Sequence, residues 1–210
     1  MRQAAKILVW VTMAVLACWV SASQAAFFGY PGAIKLQLAK LGFDRPALPP
    51  IGHTLFCLRY PQDCRIQAID FRRRNVALTA QRWEELNLVN REVNRDIIAD
   101  TSVTDEWMIA PQVGDCKDYA VTKRHELLAR GWPSRTLLLA EVVVPSGEHH
   151  LVLVVRTSEV DLVLDNLSAD IRSIAVAYPR YQWVRMELPQ NPKFWSTVSA
   201  PRAHGAMAAS

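Results

Sequence analysis

The apolar pattern of this chain changes period once, and in one direction. From Thr79 to Ala99 the residues Trp83, Leu86, Val89, Val93 and Ile97 recur at three- and four-residue steps. That is the stripe of an amphipathic helix, with Thr79 as its N-cap. A second helix is expected from Asp115 or Cys116 to Arg130, closed by Gly131 and then Pro133. After Pro133 the pattern turns to strands at Thr136–Val144, His150–Arg156, Val160–Asp165 and Tyr181–Leu188, rich in Val and Leu and separated by Pro, Gly, Ser and Asn. A chain that places helices first and strands afterwards does not wind a parallel βαβ sheet. Its expected class is α+β, with helices packed on an antiparallel sheet.

The remaining segments carry weaker signals. Residues 27–52 read as irregular, punctuated by Pro31, Gly32, Pro46, Pro49, Pro50 and Gly52, with one short helix from Ala33 to Leu41. Residues 100–114 read as a loop, and 196–210, rich in Ser and Ala, as a frayed tail. There is no internal repeat and no glycine-rich phosphate loop.

The first 25 residues read as an export signal. Arg2 and Lys6 precede an apolar run from Ile7 to Val20, and Ser23 and Ala25 are spaced for signal peptidase. The run is shorter than the ~20 residues that span a bilayer. An uncleaved anchor and lipid attachment at Cys18 are the alternatives. This divides the chain into a signal at 1–25, a domain at 26–195 and the tail at 196–210. The whole length of 210 residues suits a single domain, and 50% hydrophobic with 21% charged residues excludes collagen-like, coiled-coil and fully disordered chains. Removing the signal takes two basic and no acidic residues, so the formal charge of +4 falls to +2. So small a charge gives no nucleic-acid signal, and Arg72-Arg73-Arg74 reads as a solvated face. Membrane contact is expected only through the signal segment.

Export changes the meaning of the cysteines. Cys57 and Cys64 flank a turn-like loop, and oxidising compartments favour a bridge there; two buried thiols are the alternative. Cys116 is left over, which makes it a candidate reactive thiol.

Its surroundings carry the chemistry. In Gly114-Asp115-Cys116-Lys117-Asp118-Tyr119, Asp115 can cap the helix, which places Cys116 in the first turn. Helix N-termini favour negative charge, and the thiolate is the nucleophilic form of cysteine. The first-turn amide can donate to an oxyanion, and Gly114 would let a substrate backbone approach. A thiol enzyme also needs a histidine to carry the proton and a third group to fix the imidazole. His150 opens one strand and Asp165 closes the next. A two-residue turn at Thr157-Ser158 would pair Arg156 with Glu159 and set His150 opposite Asp165, on one face of the sheet. Strand parity puts His149 on the other face. His53, His125 and His204 read as surface residues. Gln112 and Trp107 lie in the neighbourhood where a second oxyanion donor would be sought.

These residues resemble a known family. Gly-Asp-Cys-x-Asp-Tyr at 114–119, His150-Leu151-Val152-Leu153 and Leu164-Asp165-Asn166 look like the bacterial transglutaminase-like cysteine proteinases. So do Trp83, the helix through Val89-Asn90-Arg91-Glu92-Val93-Asn94, and the late Tyr181-Gln182-Trp183 and Asn191-Pro192-x-Phe-Trp195 stretches. The resemblance runs from about residue 50 to 195 and implies a papain/transglutaminase-type core with a Cys116, His150, Asp165 triad. It implies a periplasmic protease whose protein substrate is a large surface adhesin, under an inner-membrane receptor. It also implies calcium beside the nucleophile, held by Asp115 and Asp118, although Lys117 stands where an acidic residue is common. Helix capping is the other reading of those two carboxylates. Transamidation is the alternative chemistry, and a periplasmic binding module with an idle triad is the alternative class.

Overall fold

The computed structural model describes residues 39–66, 76–100 and 105–203. The signal segment, the Arg72–Arg74 run and His204 lie outside them.

The elements follow in the order β1 (Ala39–Ala47), α1 (Ile51–Arg59), α2 (Ala80–Asp96), β2 (Ile98–Ala99), β3 (Val113–Gly114) and α3 (Cys116–Ala129). Then come β4 (Leu137–Val143), β5 (His149–Arg156), β6 (Asp161–Leu164), β7 (Arg172–Ser173), α4 (Ile174–Ala177), β8 (Gln182–Leu188) and β9 (Asn191–Ala203). Both expected helices form where the periodicity places them. Thr79 Oγ1 accepts the Arg82 amide at 3.3 Å to cap α2, and Gly131 closes the end of α3 with φ of 83°, a conformation that suits glycine.

Seven strands form one antiparallel sheet in the order β1-β9-β8-β4-β5-β6-β7. The sheet curls until β1 meets β6, where side chains replace the missing ladder. Asp161 Oδ2 accepts the Leu41 amide at 2.9 Å, and Arg156 Nη2 donates to the Leu41 carbonyl at 3.2 Å. Inside the curl, Leu138, Ala140 and Val142 of β4 and Val152 and Val154 of β5 pack on Val163, Ile174 and Leu41. The alternate residues Leu137, Leu139, Leu153, Val155, Leu162 and Leu164 are equally buried on the outer face, as strands covered on both sides require. That outer face carries α3, with α2 packed behind it.

Three segments depart from the sequence reading. Ala39–Leu41, expected to end a short helix, begin strand β1; residues 33–38 lie outside the described residues. The segment read as a tail continues the sheet to Ala203, because β9 pairs with both β8 and β1. The β1–β9 pair holds Pro46 and two register shifts, so an alternating apolar pattern is lost there. Finally, Ile51–Arg59 is helical, where an irregular chain was expected up to residue 52. The bridge between Cys57 and Cys64 is formed, with the Cα atoms 5.5 Å apart across the end of this helix.

Candidate active site

The head of α3 is built by its own side chains. Asp115 is the N-cap: its Oδ1 accepts the Lys117 amide at 3.2 Å, and Asp118 Oδ2 reaches back to the Asp115 amide at 3.0 Å. This reciprocal pair is a capping box. Asp118 Oδ1 also accepts the Met108 amide at 2.8 Å, and Thr122 Oγ1 accepts the Ala110 amide at 2.8 Å, so two turns of α3 pin the approaching loop. The loop is tied on its other side by β2 and β3, through Ile98 N to the Gln112 carbonyl at 2.9 Å and Asp100 N to the Gly114 carbonyl at 3.0 Å. A methyl at Gly114 would stand 2.7 Å from Asp118 Oδ2. The glycine therefore makes room for the Asp118 carboxylate, a partner on its own chain.

Cys116 follows the cap and is half-buried, the one free cysteine among the described residues. Its sulfur is near enough to His150 to favour a proton on that imidazole. The other side of that imidazole is taken by Asp165: His150 Nε2 donates to Asp165 Oδ1 at 2.8 Å, with both side chains buried. Nδ1 is thereby left for the sulfur. Burial disfavours a charged imidazole, but the bond to Asp165 and the nearby Cys116 sulfur outweigh it and lift the His150 pKa to about 9. Burial likewise opposes charge on Asp165. The His150 proton and charge, then the Tyr181 hydroxyl and the Leu167 amide, outweigh it and bring that carboxyl down to about 2.

The hairpin register differs from the sequence reading. Thr157 Oγ1 accepts the Val160 amide at 3.0 Å and donates to the Val160 carbonyl at 2.7 Å, closing a four-residue turn. Arg156 therefore pairs with Asp161, two residues beyond the expected partner. A shift of two preserves the face, so His150 still meets Asp165, diagonally. His149 lies on the opposite face, 67% exposed, against Glu141.

Two groups that hold Asp165 were not identified from the sequence. The Tyr181 hydroxyl donates to Asp165 Oδ2, and its ring lies 6.3 Å from that of His150. Asn94 Nδ2 donates to the Asp165 carbonyl at 3.1 Å and to the Ser168 carbonyl at 3.3 Å, while Asn90 Nδ2 reaches the Ala169 carbonyl at 3.0 Å. Two asparagines four apart beside Val89 and Val93 are the signal that would have found them: an amide on the buried stripe needs a partner.

The remaining candidates lie elsewhere. Trp107 is buried edge-on against His53 and packs over Gly52 of α1, and Gln112 is exposed. His53, expected at the surface, is 1% exposed and donates to Glu187 Oε1 at 2.8 Å. That oxygen also accepts Arg124 Nη1 at 3.1 Å, while Glu187 Oε2 accepts the Leu139 amide at 3.0 Å. His125 is half-exposed and meets Asp63 at 3.0 Å. Lys123 of α3 is buried with no hydrogen-bond partner for its Nζ; burial drops its pKa to about 7, against the attraction of Asp165.

As calcium ligands Asp115 and Asp118 fit poorly. Each of their four oxygens already accepts a donor from the chain, and the donor on Asp115 Oδ2 is the Lys117 ammonium. Calcium takes six to eight oxygens in a flexible cage, whereas this pair is closed on itself around a cation of its own.

No curated protein matches the chain in sequence. Among solved structures, Legionella pneumophila LapG with calcium bound is 25% identical, with a TM-score of 0.47 over 54% of this chain and 68% of that one. LapG of the same organism treated with EGTA is 26% identical, with a TM-score of 0.46 over 56% of this chain and 71% of that one. The family model of the bacterial transglutaminase-like cysteine proteinases matches residues 44–203, from β1 to the end of β9, and so takes in the helix head with its free thiol and the strands that bear His150 and Asp165. Since the match spans well over half of the chain, this protein belongs to that family and is a cysteine protease with a transglutaminase-like α+β core.

Proposed function

We propose that this cysteine peptidase hydrolyses its protein substrate with Cys116 as nucleophile, His150 as proton carrier and Asp165 as the group that orients the imidazole. One observation carries the reading: a single buried imidazole is held by a carboxylate at 2.8 Å and interacts electrostatically with the free thiol at a helix head. With the Cys116 proton already held on His150, the sulfur attacks the scissile carbonyl. As the C–N bond breaks, His150 returns the proton to the leaving amine. Water then adds to the thioester with His150 as base, releasing the acid and restoring the thiolate. The first-turn amide of Cys116, which no carbonyl four residues back can serve, is placed to donate to the oxyanion.

The substrate and compartment belong to the same proposal. A basic, then apolar, then small-residue N-terminus supports export to the periplasm. Among the described residues no helix is long and apolar enough to cross a membrane. The family resemblance supports a large surface adhesin as substrate and an inner-membrane receptor as regulator. Calcium has no place in the mechanism proposed here.

The test is Cys116→Ala, measured against adhesin and generic protein substrates. Turnover should vanish while the circular dichroism spectrum is unchanged, and iodoacetamide should label Cys116 in the native wild type. Peptidase activity retained by the alanine variant would remove the proposal.

A further inference from the structure

The residue between Cys116 and Asp118 is a lysine, and it is tied into the acidic pair. Lys117 is 8% exposed, and its ammonium lies against Asp115 Oδ2. Asp115 Oδ1 holds the Lys117 amide, and the two oxygens of Asp118 hold the amides of Met108 and Asp115 at 2.8 and 3.0 Å. The Asp118 carboxylate also fills the space that Gly114 leaves open. Turning either acid outward would open the capping box and release backbone amides at the head of the helix.

We propose that Lys117 is the resident cation of this helix head, so that the site neither binds nor needs calcium. The two carboxylates carry two negative charges, and the tethered ammonium cancels one of them. A divalent ion set on Asp115 would displace Lys117 or share its oxygen with a like charge. The two acidic side chains flanking Lys117 are also both committed to amides, where calcium sites gather six to eight free oxygens. A covalently tethered cation does not dissociate, so the capped geometry beside Cys116 persists whatever the calcium concentration. Control of the enzyme must then act at another point than this helix head. The activity arm of the inference rests on the catalytic reading above; the binding arm does not.

The experiment is a calcium titration of the wild type and of Lys117→Glu, followed by thermal denaturation and by calorimetry, with EGTA as the zero point. The wild type should show the same Tm and no heat of binding in EGTA and in millimolar calcium chloride, and the same rate of substrate cleavage. Lys117→Glu supplies a third carboxylate and removes the ammonium. It should gain a Tm rise of about 5 °C or more once calcium is a hundredfold above its Kd. Calcium binding by the wild type, or a Tm raised by calcium, overturns the inference whether or not cleavage is observed. A glutamate variant that folds and still ignores calcium overturns the role given to Lys117. If that variant fails to fold in either condition, Lys117→Gln is titrated instead, with a smaller calcium response expected and its absence counting against the role. A wild type that ignores calcium and cleaves nothing supports the binding arm and instead counts against Cys116 as nucleophile.

Discussion

Asn94 of α2 holds the main chain of Asp165, donating to its carbonyl at 3.1 Å, while His150 holds the side chain at 2.8 Å. A helix and a strand far apart in sequence therefore fix one acid from two sides. Asn94→Ala should leave the Asp165 and Ser168 carbonyls without this donor and cost about 1–3 kcal/mol of stability. The loop would then hold the acid less firmly. The expected outcome is a fall in kcat with KM nearly unchanged, read from steady-state kinetics beside a urea melt.

His150 is protonated below a pKa of about 9, and Asp165 is ionised above about 2, so the charged pair exists between those limits. The stability due to the raised His150 pKa is complete below 6.5 and disappears as pH rises through about 9. Asp165→Asn removes the bond and charge that overcome burial. The alkaline limb of kcat/KM should then move from about 9 down towards 6.5, a shift that a pH–rate profile measures directly.

Lys123 has its pKa dropped by burial to about 7, far below the 10.5 of an exposed lysine. Between those values the unfolded chain binds more protons, so wild-type stability should rise with pH through this window. Lys123→Met keeps the volume and removes the charge. It should stabilise the fold by on the order of 2 kcal/mol at pH 6, a Tm gain of about 4–8 °C, and by much less at pH 10. Calorimetry at both pH values checks the sign.

The Cys57–Cys64 bridge closes a loop seven residues in span. A loop this short restricts the unfolded chain modestly, so the double variant Cys57→Ser, Cys64→Ser should lose about 2 kcal/mol. Cys116 takes no part in the bridge. Peptidase activity at low temperature should therefore survive in the variant, and a reductant should lower the Tm of the wild type alone.

The sequence by itself determined the elements whose chemistry is local. The α2 stripe, the Thr79 and Asp115 caps, the Gly131 stop and the Val-rich strands all follow from periodicities and capping residues a few positions apart. The meeting of His150 with Asp165 was legible for a related reason: side chains alternate along a strand, so an even error in register leaves both residues on one face. Tertiary structure decided the rest. β1 and β9 become strands because each finds the other across some 150 residues, and their bulges and Pro46 leave no period to read. His53 is buried because Glu187, 134 residues away, supplies its acceptor. Asn94 and Tyr181 come to Asp165 from elements 71 and 16 residues distant. Such contacts depend on how helices and strands are brought together, and no local pattern encodes that distance.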